Sequence, residues 1–76
     1  MRIAEMKTGD SAVVTGYVKG SREYRHKLLR MGLVKGCRFT LVRRAPLGDP
    51  VEIRIDSRQL TLRKTEADVL EVSTGD

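Results

Sequence analysis

The chain has 76 residues, a formal net charge of +5, one cysteine and no tryptophan. A chain of this length is expected to fold as one small domain, residues 1–76, with little sequence left for a deep catalytic cleft. A single cysteine excludes an intrachain disulfide, and no apolar run has the length of a signal peptide core or a membrane span. We therefore expect a cytoplasmic protein.

The first predicted element is a strand over residues 12–18, where valine and tyrosine predominate between two turn-forming segments. Gly16 lies in the middle of this run, which indicates a bulge or a bend in the strand. Tyr17 is the one aromatic residue that this pattern leaves free to be exposed.

A helix is predicted over residues 21–31, because the apolar period changes there from two to between three and four. Ser21 is the expected N-cap, and Gly32 can adopt the left-handed conformation that ends a helix. The residues expected to face the core recur at helical spacing: Tyr24, Leu28 and Met31.

Three further strands are predicted over residues 37–44, 51–55 and 59–64, followed by a helical turn capped by Thr65 and a short strand over residues 69–72. Their alternation places one set of residues in the core: Cys37, Phe39, Leu41, Val51, Ile53, Ile55, Leu60 and Leu62. The fold class is mostly β. About five short antiparallel strands with one inserted helix predict a strongly bent sheet closed into an SH3-like partial barrel, with an OB-like barrel as the second choice.

Both prolines of the chain lie in the segment between the second and third strands, four residues apart. Pro46 is expected to end one strand and Pro50 to begin the next, with the turn-forming pair Gly48-Asp49 between them. This segment is interpreted as a stiff corner of a hairpin, and a recognition loop is the alternative.

The positive charge is concentrated in residues 19–44, which hold nine Lys or Arg residues and one acid, Glu23. A strongly basic face favours an acidic partner, a nucleic acid or an anionic membrane surface. Nucleic acid is the weaker possibility, because two of the three aromatic side chains are predicted to face the core and no stacking platform is evident.

His26 and Cys37 are the only histidine and the only cysteine. A nucleophilic pair would need a third orienting group, and a zinc site needs three or four protein ligands. No glycine-rich phosphate loop is present. We therefore predict no enzyme, no cofactor and no metal site within one chain, while an iron site shared with another molecule stays open.

The order of motifs resembles the FeoA family, small cytosolic proteins associated with the FeoB ferrous iron transporter. The resemblance runs from about residue 3 to residue 72. Its most specific part combines "LLRMGLVKG" (residues 28–36) with "APLGDP" (residues 45–50). Lys35 stands where the family often has proline, and Ser57 where it often has glycine.

This resemblance implies an SH3-like barrel with a helical insertion, and a role as an accessory module that binds or regulates the cytosolic region of a FeoB-type transporter. The chain would then approach the membrane only through that partner, and no nucleic acid would be involved. Helical phasing sets Leu29 among arginines, away from the core stripe. The predicted partner-binding residues are Arg22, Arg25, Leu29, Arg30 and Leu47.

Overall fold

Residues 1–74 are described by a computed structural model, in which five antiparallel strands form one sheet. The strands are β1 (Ser11–Tyr17), β2 (Arg38–Arg44), β3 (Val51–Ile55), β4 (Arg58–Leu62) and β5 (Leu70–Ser73). Their order in the sheet is β4-β3-β2-β1-β5. The predicted meander of three strands is therefore confirmed, and the last strand returns to lie beside the first. Each observed strand boundary differs from the prediction by one or two residues at most.

Within residues 1–74, strands are connected by the helices α1 (Arg22–Arg30) and α2 (Lys64–Ala67) and by a 3-10 turn, Pro46–Gly48. A further 3-10 turn, Ile3–Glu5, precedes β1. Helix α1 is the predicted insertion, shorter by one residue at each end. Ser21 occupies its N-cap position, but its hydroxyl donates to the carbonyl of Val18 and does not cap the helix.

The prediction that Thr65 caps the last helical turn is wrong. Helix α2 begins one residue earlier, and its N-cap is Arg63. The carboxylate of Glu66 accepts the backbone N–H of Arg63 at 2.9 Å, so the residue at the third helical position satisfies the first free donor. The two 3-10 turns were not predicted, since such short turns have no periodicity to recognise.

The core follows the predicted alternation along β2, β3 and β4. Its fully buried large side chains include Leu28, Leu33, Phe39, Leu41, Ile53, Leu62 and Leu70. Leu60 and Cys37 were both predicted to be core residues of strands. Leu60 is only partly buried, and Cys37 is partly buried and precedes β2. Both side chains pack against the edge of the core.

Two irregularities bend the sheet. The register of β1 against β5 shifts between Val14 and Gly16, which confirms the predicted bulge. A second shift lies in β2, between Leu41 and Arg43, where it faces β3. Because a bulge increases local twist, these two positions let a five-stranded sheet curve around one core.

The proline segment forms a corner, as predicted. Strand β2 ends at Arg44, Pro46 opens the 3-10 turn, and Pro50 precedes β3 after a cis peptide bond. The N–H of Ala45 donates to the carbonyl of Pro50 at 3.0 Å and closes the loop. Leu47 lies at its tip.

Among residues 1–74, no helix is both long and apolar enough to cross a membrane.

Candidate functional site

Helix α1 ends in a Schellman motif that fixes its direction. The N–H of Gly32 donates to the carbonyl of Leu29, and the N–H of Leu33 donates to the carbonyl of Leu28, both at 3.0 Å. Gly32 has a φ of +95°, a conformation that favours glycine. Leu28 and Leu33 are both fully buried, which supplies the apolar contact that accompanies this motif.

Further contacts tie the end of α1 to the barrel. The hydroxyl of Tyr17, in β1, donates to the carbonyl of Leu33 at 2.6 Å. The guanidinium of Arg58, at the start of β4, donates to the carbonyl of Met31 at 3.4 Å. Burial raises the pKa of Tyr17, which keeps its hydroxyl protonated as a donor, although nearby Arg25 opposes this shift. The helix is therefore held by the sheet at its C-terminal end.

An ion pair between an exposed lysine and a buried glutamate connects α1 to α2. The ammonium of Lys27 donates to the carboxylate of Glu66, whose side chain is 4% exposed. Burial acts to raise the pKa of Glu66, but the hydrogen bonds from Lys27 and from the N–H of Arg63 outweigh it and hold that pKa below its usual range. The carboxylate is thus ionised and fully engaged at neutral pH.

One side of α1 is basic and carries an exposed aliphatic residue. Leu29 is 40% exposed, and Arg22, Arg25 and Arg30 are exposed around it. Among the side-chain hydrogen bonds and ion pairs within residues 1–74, none uses these three arginines. The predicted separation of Leu29 from the core is confirmed, and four of the five predicted partner-binding residues lie together on one helix.

The prediction that Tyr24 faces the core is wrong. Its side chain is 42% exposed, whereas Leu28 is fully buried and Met31 is half-buried. Helix α1 meets the barrel mainly through Leu28, so its buried stripe is too narrow to include a residue one turn before. Tyr24 and Leu29 lie about 140° apart around the axis, on opposite sides of Leu28.

The fifth predicted residue, Leu47, lies elsewhere. Helix α1 joins β1 to the beginning of β2, whereas the proline loop follows the end of β2. Strand β2 has seven residues, so its two ends lie about 20 Å apart. The structure therefore divides the predicted residues between two surfaces, the α1 face (Arg22, Arg25, Leu29, Arg30) and the proline-loop tip (Leu47).

The candidate reactive residues do not form a site. His26 is exposed on α1, and Cys37 is half-buried before β2. Burial, with a smaller effect from Asp56, raises the pKa of the Cys37 thiol, so the weakly nucleophilic protonated form dominates. Within residues 1–74 no three His, Cys, Asp or Glu side chains are grouped as metal ligands.

A small bent sheet of five antiparallel strands with one inserted helix has the architecture of an SH3-like domain. The family model of the FeoA domain matches residues 1–74. The chain belongs to the FeoA family.

A relative from Porphyromonas gingivalis, an Fe(2+) transport protein A/Fe(2+) transporter FeoB fusion protein, is 43% identical over 72 residues. The match covers 95% of this chain and 8% of that protein, so the chain corresponds to a small part of the relative's length.

Two solved structures show the same fold. The FeoA-like protein from Clostridium acetobutylicum has 32% identity and a TM-score of 0.87, covering 97% of this chain and 85% of its own. The FeoA of Stenotrophomonas maltophilia, complexed with zinc, has 26% identity and a TM-score of 0.80, covering 96% of this chain and 89% of its own. That protein is described as a prokaryotic SH3 domain protein and a candidate activating factor of ferrous iron transport. The predicted SH3-like fold is thereby confirmed.

Proposed function

We propose that this chain is a non-enzymatic accessory module of ferrous iron uptake, which docks on the cytosolic region of a FeoB-type transporter through the α1 face. The observation that carries the proposal is Leu29, an aliphatic side chain left 40% exposed among the exposed arginines Arg22, Arg25 and Arg30. The fusion of the two proteins in a relative supports the choice of partner.

The apolar and charged residues of this face have different roles in binding. An apolar side chain that becomes fully desolvated contributes most of the affinity, and charged residues at the rim steer and orient the partner. Arg22, Arg25 and Arg30 are free for this role, whereas Lys27 is already paired with Glu66. The partner surface should therefore be acidic around one apolar depression. Such a module would act in the cytoplasm and reach the membrane only through the transporter.

The proposal is tested by titrating the chain against the purified nucleotide-binding region of the transporter from the same organism, with and without nucleotide. Leu29→Asp should weaken binding about tenfold or more, because it removes the anchor. Its free energy of unfolding should change by less than about 0.5 kcal/mol, as for other surface substitutions. Leu47→Asp is the matched control, since it changes an exposed leucine at the other end of β2 and should leave binding intact.

Equal binding by the wild-type chain and Leu29→Asp would overturn the proposed surface. A large fall in the free energy of unfolding for Leu29→Asp would show that this residue belongs to the core and would also overturn it.

Nucleic acid is a second candidate partner, favoured by one observation. Tyr24 is exposed on the same basic helix and could stack on an unpaired base. Binding to single-stranded RNA should then fall steeply with salt, since each phosphate contact releases counterions. Tyr24→Ala should weaken RNA binding more than Leu29→Asp does. Saturable transporter binding with no RNA binding would exclude this candidate.

A further inference from the structure

The proline loop carries a side chain that the fold does not use. Leu47 is 100% exposed and has a φ of +70°, in the left-handed region that a leucine adopts only with strain. Exposure of one leucine is ordinary, but exposure combined with a strained backbone is not. Strained positions of this kind cluster at functional sites, which makes the loop tip a candidate contact.

An apolar pocket opens beside this tip. Its volume is about 150 Å³ and its lining includes Ala4, Val51 and Ala67, with Gly48 on the loop side. An apolar cavity of about this volume accepts a benzene-sized group, so it has room for one apolar side chain. Because Gly48 follows Leu47 directly, a protruding side chain and a pocket lie side by side on one face.

The charges on this face nearly balance, in contrast to those of the whole chain. Arg44 and Lys64 line the pocket with Asp68, and Asp49 accepts the N–H of Lys64 at 3.0 Å. Arg63 lies with Asp49 in the adjoining cleft, so three basic and two acidic residues leave a charge of +1 on a molecule whose net charge is +5. Lys64 and Asp68 also pair with each other at 3.0 Å. Two copies of the chain repel each other less here than across the α1 face, where basic residues would meet.

Leu47 and the adjacent pocket together form the proline-loop face. We propose that the proline-loop face joins two copies of the chain in a symmetric dimer. A two-fold axis between the knob and the pocket lets the Leu47 side chain of each copy enter the pocket of the other. Such a surface is self-complementary in shape and in charge. The dimer is weak, because one knob and one pocket per copy cover less area than stable interfaces do.

The test is sedimentation equilibrium of the chain over a range from about 10 µM to about 1 mM, chosen because small interfaces dissociate in this range. The weight-average mass should rise from 8.5 kDa towards twice that value. Raising the salt concentration should increase the dimer fraction, since salt screens the repulsion between two chains of net charge +5.

Two variants remove one half of the contact each. Leu47→Asn removes the knob and suits the left-handed conformation, and Ala4→Leu narrows the pocket from an exposed position in the first 3-10 turn. Each variant alone should stay at 8.5 kDa. An equimolar mixture of the two should regain part of the association, because it retains one intact knob and one intact pocket per pair. Leu29→Asp, on the α1 face, should dimerise like the wild-type chain.

A wild-type chain that stays monomeric throughout the range would overturn the proposal. A Leu47→Asn variant that dimerises like the wild-type chain would also overturn it. If Leu47→Asn weakens transporter binding and the wild-type chain stays monomeric, Leu47 contacts that partner and not a second copy, which also overturns the proposal. The mass measurements do not depend on whether the α1 face binds the transporter, so the two proposals fail separately.

Discussion

Glu66 is a buried carboxylate that connects two helices by charged hydrogen bonds. It is buried in the short helix α2 and receives hydrogen bonds from Lys27, 39 positions earlier, and from Arg63. The sequence predicts none of this, because an ion pair between two helices depends on how the chain folds back and not on local spacing. Residues 65–76 hold four acidic residues and no Lys or Arg, but the sequence does not indicate which of the four is buried.

The lowered pKa of Glu66 predicts a specific loss of stability in acid. Because this pKa is lower in the folded state than in the unfolded state, the contribution is complete above about pH 4.3, the usual pKa of glutamate. It is lost as the pH falls through the folded-state pKa. Urea unfolding over a pH series should therefore show a free energy of unfolding that decreases below about pH 4.3.

Two variants separate Glu66 from the other carboxylates. Glu66→Gln should lower the free energy of unfolding at pH 7 by about 1.5 kcal/mol, the lower value for hydrogen bonds to charged groups, and should flatten the acid decrease. Lys27→Met should raise the pKa of Glu66, so that stability is lost at a higher pH. An unchanged acid decrease in Glu66→Gln would show that other groups cause it.

The left-handed backbone and full exposure of Leu47 predict that a substitution there stabilises the fold. Its left-handed backbone costs about 1–2 kcal/mol for an ordinary L-residue, and its fully exposed side chain returns no burial. Leu47→Asn should raise the free energy of unfolding by about 0.5–1 kcal/mol, since asparagine tolerates this conformation. Leu47→Ala is the control, because it keeps the strain and should change little. Denaturant unfolding at low protein concentration measures both, and equal stability of all three chains would contradict the argument.

At the level of elements, strands were easier to predict than the packing of the helix. The alternation in β2 and β3 identifies their buried residues, because a strand in a one-sided sheet has only two faces. Helical spacing identified Leu28 but misplaced Tyr24, because it cannot give the width of the contact between a helix and its support. The sequence does not predict the pocket beside the proline loop, since residues from three separated stretches of the chain (3–4, 44–51 and 64–68) form it.

The left-handed position at the end of α1 favours glycine. Gly32 needs a positive φ, and a Cβ there would also lie 2.8 Å from the guanidinium of Arg58. Gly32→Ala should therefore lower the free energy of unfolding by about 1–2 kcal/mol. D-alanine at the same position, introduced by chemical synthesis, accepts this φ and should retain nearly all stability. Equal losses for the two alanines, measured by urea unfolding, would show that the left-handed conformation is not the cause.

The described part of the molecule presents two surfaces that differ in charge, next to opposite ends of β2. The α1 face is basic, and the proline-loop face is nearly balanced. Binding of an acidic partner to the first should weaken as salt rises, and self-association through the second should strengthen. Measuring both equilibria over one salt series checks this prediction. If salt shifts both equilibria in the same direction, the division of charge between the two faces does not govern them.

Helix α1 rests on the barrel through one buried side chain, Leu28, with its end tied by Gly32, Leu33 and Tyr17. Such an element opens more readily than the strands it covers, because few apolar contacts resist its opening. Its amides should exchange with deuterium much faster than those of β1 and β2. A partner bound at Leu29 would slow the exchange of the α1 amides. Slower exchange in α1 would therefore report binding of the partner even if the barrel itself does not change its structure.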